Sequence, residues 1–93
     1  MRLRFVTLPE LGIAPEEPIL ISHWYARKGD EVWEGDRLVE VVVGAATFDV
    51  PSPANGRLAR IRVQEDERVR PGQILAHLAV DGEGDLAGSS EPP

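Results

Sequence analysis

With 93 residues the chain has room for one small domain, which buries about 60–65% of the surface its unfolded chain exposes, so no deep active-site cleft is expected. Its 42% hydrophobic and 28% charged residues are those of a globular protein; no apolar run approaches a membrane span and Met1–Arg4 leads into no signal-peptide core, so a cytoplasmic address is expected. The absence of cysteine excludes disulfides, thiolate metal sites and a Cys nucleophile, and a net charge of −6 argues against nucleic acid or an anionic membrane, which leaves another protein as the expected partner.

Arg2 to Leu8 alternates in part and predicts a first strand stopped by Pro9, with Leu3, Phe5 and Leu8 as inward candidates. Glu10 to Pro18 holds Gly12, Pro15 and Pro18 and reads as a surface loop. Ile19 to Ala26 predicts the second strand. Its apolar residues Ile21, Trp24 and Ala26 do not share one parity, and a β-bulge near Ser22 and His23 would repair the step. Turns follow at Arg27–Asp30 and Glu34–Asp36, with Val32 and Trp33 as a short apolar step between them, and Leu38 to Val43 climbs to a hairpin.

That hairpin, Val41 to Gly56, organises the chain. Val41, Val42 and Val43 favour a strand, Gly44 permits the positive φ of a tight turn, and Thr47, Phe48 and Val50 resume the strand before Pro51 and Pro53 end it. The tip, Gly44, Ala45 and Ala46, has no acid, base, thiol, amine or hydroxyl.

The second half repeats the first. A shift of 37 residues carries Ile21 onto Leu58, Trp24 onto Ile61, Ala26 onto Val63, Val32 onto Val69, Gly35 onto Gly72, Leu38 onto Leu75 and Val41 onto Leu78. Two copies of a unit too small to bury its own apolar face are expected to pack by pseudo-twofold symmetry into one core. The same shift carries the hairpin tip onto Asp81–Glu83, so the tip and the C-terminal stretch are expected at opposite ends. No segment shows a sustained helical period. The predicted class is therefore all-β, with residues 1–80 forming the domain and residues 81–93 a disordered acidic Gly/Ser/Pro-rich tail or linker stub.

Several pieces together resemble the lipoyl/biotinyl attachment family, closest to the lipoyl domains of 2-oxo acid dehydrogenase acyltransferase components: PELG at Pro9–Gly12, ILISHWYARKGDEVWEGDRLVEV at Ile19–Val41, ATFDVPSPANGRL at Ala46–Leu58 and VRPGQILAHL at Val69–Leu78. The resemblance implies a flattened barrel-sandwich of two four-stranded antiparallel sheets, in agreement with the repeat. It also implies a tip lysine, usually preceded by Asp, that carries lipoate or biotin in amide linkage. In this chain the position of the Asp is Gly44 and that of the lysine is Ala45, with Val42 and Val43 replacing the usual acidic and threonine approach. Neither lipoate nor biotin is expected to attach. The one lysine of the chain, Lys28, lies in the Arg27–Asp30 turn and reads as a solvated residue.

Other groups carry weaker signals. The repeat does not bring His23 and His77 together, Asp30, Glu31, Glu34 and Asp36 lack the spacing of a calcium loop, and no serine has a histidine in a nucleophile motif, so neither metal nor catalytic residues are expected. Trp24 and Trp33 read as core and edge packing. The valines suit either a hairpin lying close against the barrel or a docking surface at Val42, Val43, Gly44, Ala45 and Ala46. The expected function is a non-acylatable lipoyl-like module for protein interaction or assembly, beside a 2-oxo acid dehydrogenase or other acyl-transfer complex, with self-association through the hairpin as a further option. The alternative is a lipoyl carrier domain whose attachment lysine has been substituted at Ala45.

Overall fold

A computed structural model describes residues 2–80 of the chain. Eight strands follow in order: β1 (Arg2–Thr7), β2 (Ile19–Trp24), β3 (Glu31–Val32), β4 (Arg37–Val43), β5 (Ala46–Pro51), β6 (Gly56–Ile61), β7 (Arg68–Val69) and β8 (Ile74–Val80). They form two four-stranded antiparallel sheets, in the orders β1-β8-β6-β3 and β5-β4-β2-β7, with no helix among the described residues. The 37-residue shift turns β8 into β4, β6 into β2 and β7 into β3, so one sheet order becomes the other. The residues 81–93 read as an acidic tail lie outside the described residues.

The symmetry reaches individual hydrogen bonds. Gly29 N donates to Leu58 O at 2.7 Å, and Asp66 N, 37 positions on, donates to Ile21 O at 2.8 Å. Both turns require a positive φ, 97° at Gly29 and 72° at Asp66, and Asp is among the few residues beside glycine that tolerate it. The expected bulge is present: Ile21 pairs with Val41 but His23 with Glu40, leaving Ser22 as the extra residue. Its counterpart is Ala59, between the pairs Leu58 with Leu78 and Arg60 with His77. Each bulge re-aims the strand so that Ile21 and Leu58 are fully buried while Trp24 and Ile61 pack at the margin of the same core. Trp24 also donates its Nε1–H to Val63 O at 2.9 Å.

The edge strands β1 and β5 are related by 44 residues rather than 37. The loop of residues 8–18 after β1 is longer than the residues 52–55 that follow β5. Val6 and Val50 are buried at equivalent places, and Leu8 N donates to Gln73 O as Ser52 N donates to Asp36 O. This corrects the parity expected for β1. Leu8 is buried as expected, together with Val6, whereas Leu3 and Phe5 are 54% and 52% exposed, because their parity matches the outward residues of β8 that they face. The expected packing of Trp33 is also corrected, since at 57% exposure it stands in solvent beyond β3.

Among the described glycines, Gly56 alone has no room for a side chain. A Cβ there would lie 2.6 Å from Ala79 O and 2.9 Å from Val80 Cγ1. The carbonyl belongs to the central strand β8, which is paired on both sides and cannot yield without disturbing two ladders. Gly56→Ala is expected to cost about 1–3 kcal/mol by overpacking, read as a lower urea midpoint with unchanged slope. A variant as stable as the wild type would contradict this.

Candidate functional site

The hairpin between β4 and β5 closes on two residues, Gly44 and Ala45, with Val43 paired to Ala46. Gly44 has φ 59° and Ala45 does not share a positive φ, which suits a two-residue turn whose twist matches the flanking strands. Gly44, Ala45, Ala46 and Thr47 are exposed. Ala46 thus begins β5 rather than completing the turn.

The valines below the tip follow the first of the two readings, a hairpin close against the barrel. Val41 is fully buried, Val43 is 8% exposed within the core cluster, and Val42 is half-buried. The hairpin lies against its own barrel, so Val43 is a core residue, and of the five residues expected to form a docking surface only Gly44, Ala45, Ala46 and the margin of Val42 are accessible. Thr47 is an exposed neighbour that the sequence reading left out of this surface.

Further down, Glu40 of β4 sits directly opposite Asp49 of β5. Like charges so placed repel, and neighbouring groups offset them. Ser22 donates its hydroxyl to Glu40 Oε1 at 3.0 Å, Tyr25 Oη lies 3.2 Å from Asp49 Oδ1 and 3.5 Å from Glu40 Oε2, and Arg37 Nη1 is 3.5 Å from Asp49 Oδ2. The Arg37 guanidinium also lies 4.6 Å from the centre of the Tyr25 ring. Desolvation and then the Asp49 hydrogen bond raise the Tyr25 phenol above its ordinary pKa. This network ties Ser22, Tyr25 and Arg37 to the two carboxylates of the hairpin stem.

The remaining candidates do not converge. His23 is in β2, 3.6 Å from Glu65, and His77 is in β8, 3.5 Å from Arg62 Nη1, so the two histidines belong to different sheets. Asp30 and Asp36 accept from the backbone N–H groups of Arg27 and Trp33, both at 2.9 Å, and act as turn braces. Among the described residues no cluster of three or more His, Asp or Glu is placed to hold a metal. Lys28 is exposed in the turn between β2 and β3, away from the hairpin in sequence and on a different connection.

Two four-stranded sheets exchanged by a pseudo-twofold axis, with an exposed two-residue hairpin tip, define a flattened β-barrel sandwich. The chain belongs to the biotin/lipoyl attachment family, whose model, described as biotin-requiring enzyme, matches residues 5–78. It is 34% identical over 89 residues to the lipoamide acyltransferase component of a branched-chain alpha-keto acid dehydrogenase complex from Pseudomonas aeruginosa, covering 96% of this chain and 21% of that protein. It is 37% identical over 82 residues to the mitochondrial dihydrolipoyllysine-residue acetyltransferase component of the pyruvate dehydrogenase complex from Caenorhabditis elegans, covering 88% and 16%. The chain thus spans about a fifth of the length of the curated relatives it matches. The lipoyl domain of the 2-oxoglutarate dehydrogenase complex from Azotobacter vinelandii has the same fold, with a TM-score of 0.64 over 81% of this chain and 96% of that one at 18% identity. The domain is therefore of the lipoyl type found in 2-oxo acid dehydrogenase acyltransferases.

A lipoyl or biotinyl group is held through an amide, which needs an amine at the tip. Gly44 and Ala45 offer a hydrogen and a methyl group. The residues present do not fit the attached group.

Proposed function

We propose that this domain keeps the lipoyl fold as a protein-interaction or assembly module, associated with a 2-oxo acid dehydrogenase or another acyl-transfer complex. In this reading it carries neither lipoate nor biotin and performs no catalysis of its own, since even a true carrier lends its chemistry to the cofactor. The observation that carries the reading is the pairing of Val43 with Ala46, which fixes Gly44 and Ala45 as the whole turn and leaves no amine there. Val42, Val43 and Gly44 replace the approach residues as well, which favours drift of the whole site over a single exchange. A small, uncharged tip lets a partner backbone approach closely, and the braced stem beneath it limits the ordering cost of binding.

The test is binding of the wild type and an Ala45→Glu/Ala46→Glu variant to the purified dehydrogenase and acyltransferase components of the native host, by surface plasmon resonance. Both alanines are exposed, so the variant keeps the core intact, which an exchange of buried Val43 would not. The affinity is expected to fall at least tenfold, or about 1.4 kcal/mol, if the tip lies in the buried centre of a contact. Unchanged binding to every component, with both proteins monomeric by sedimentation, would remove the hairpin from the proposal.

A further inference from the structure

The outer face of the sheet β1-β8-β6-β3 carries an apolar shelf. Leu3 and Phe5 stand half exposed on β1, opposite Ala79 and His77 of β8, whose partners on β6 are Arg57 and Arg60. Ala79 presents only a methyl group between Leu3 and Arg57, so the middle of the face is low where its sides are high. The Phe5 and His77 rings, 5.0 Å apart, close one end of the shelf.

The other sheet supplies an internal control. There the counterparts of Leu3, Phe5 and Ala79 are Thr47, Asp49 and Val42, so the edge positions are polar and the central one holds a branched side chain. The fold itself does not call for the apolar shelf. The two sheets also differ in what their central strands lead into. Strand β4 turns at once into β5, whereas β8 leads into residues 81–93, DGEGDLAGSSEPP, in which Leu86 is the one large apolar residue. Between Val80 and Leu86 the sequence has Asp81, Glu83 and Asp85 and no cation. On the face itself Glu31 is the one acid in the four strands, and it stands opposite Arg57. Arg60 and Arg62 have no acidic partner among the described residues, and Arg62 Nη1 lies 3.5 Å from His77 Nε2.

We propose that residues 81–86 fold back over this face of their own domain and seat Leu86 on Ala79 beside Leu3 and Phe5, with the three carboxylates in the field of Arg60 and Arg62. The reach suffices. Val80 is three positions along β8 from His77, about 10 Å, and six residues extend to about 20 Å, which leaves length for a reversal that Gly82 and Gly84 admit. Apolar area leaves water on both sides of the contact, from Leu86 and from Leu3 and Phe5, and this opposes the entropy of ordering six residues. A tethered segment also occupies the shelf at an effective concentration of roughly millimolar, against which a second chain must compete. Residues 87–93 take no part and keep the character that their composition predicts. The contact is separate from the hairpin and stands whether or not the hairpin binds.

The chain has no cysteine, so Ala87→Cys places a single nitroxide beside Leu86. In the isotope-labelled full chain, this label is expected to broaden the amide resonances of residues 3–5, on one edge of the sheet, roughly threefold more than those of residues 31–33 on the other. Adding Leu86→Glu is expected to abolish that difference, and so is Leu3→Thr/Phe5→Asp, which copies the residues of β5, with circular dichroism to confirm folding. Equal broadening of the two edges, or a pattern that Leu86→Glu leaves unchanged, would overturn the proposal. Broadening passed from spin-labelled molecules to isotope-labelled ones in a mixture would also overturn it, by making a second copy the occupant. Should the double variant fail to fold, Leu86→Glu, which lies outside all eight strands, alone decides.

Discussion

Leu58→Ala is expected to lower the unfolding free energy by about 2–5 kcal/mol, and Ile21→Ala to fall in the same range. Both side chains are fully buried, each immediately before a bulge, and the pseudo-twofold axis exchanges them, so each truncation opens an equivalent cavity in the shared core. A domain of this size has about 5–15 kcal/mol in all, so at the lower end of that range the larger loss would leave a substantial unfolded population at room temperature. Urea unfolding followed by tryptophan fluorescence reads the effect, because Trp24 packs against the core and donates to Val63. Leu3→Ala is the contrasting case. Its side chain is outside, and the change is expected to stay within about 0.5 kcal/mol. If Leu3→Ala proved as costly as Leu58→Ala, the parity assigned to β1 would be wrong.

The second large effect is a gain. Ala45 is exposed, lies at the tip and has no positive φ to strain a larger side chain, so Ala45→Lys would present its amine to solvent without disturbing the barrel. Co-expressed with lipoate-protein ligase and lipoate, this variant is expected to gain one lipoyl amide, mapped to position 45 by peptide mass. A variant that folds but stays unmodified would mean that Val42, Val43 and Gly44 do not provide the approach the ligase requires.

Much of this fold could be read from the chain because the repeat is written in buried residues, whose identity packing constrains. The step of three from Ile21 to Trp24, and again from Leu58 to Ile61, predicted a bulge that the register contains in both copies. The edge strands were harder to read. Apolar type alone placed Leu3 and Phe5 inside, whereas an edge strand with one neighbour leaves its outer face in water, and no periodicity reports which face that is. The offset of 44 that would have aligned Leu3 with Thr47 was hidden by the longer loop at residues 8–18. At the hairpin, the composition of the tip was legible but the burial of Val43 stayed one of two readings, since three consecutive valines fit a projecting ribbon as well as one folded against its barrel. Asp66, the counterpart of Gly29, carries a positive φ that its residue type only permits and does not announce.

The central claim is that this domain uses the lipoyl fold without its attached group. The most direct measurement is the intact mass of the wild-type protein after expression with lipoate-protein ligase and lipoate, and separately with biotin ligase and biotin, each alongside a lysine-bearing lipoyl or biotinyl domain as the positive control. The account predicts the unmodified mass for the wild type under both conditions. A stoichiometric lipoyl or biotinyl adduct on the wild type, which by residue chemistry would map to Lys28, would contradict it.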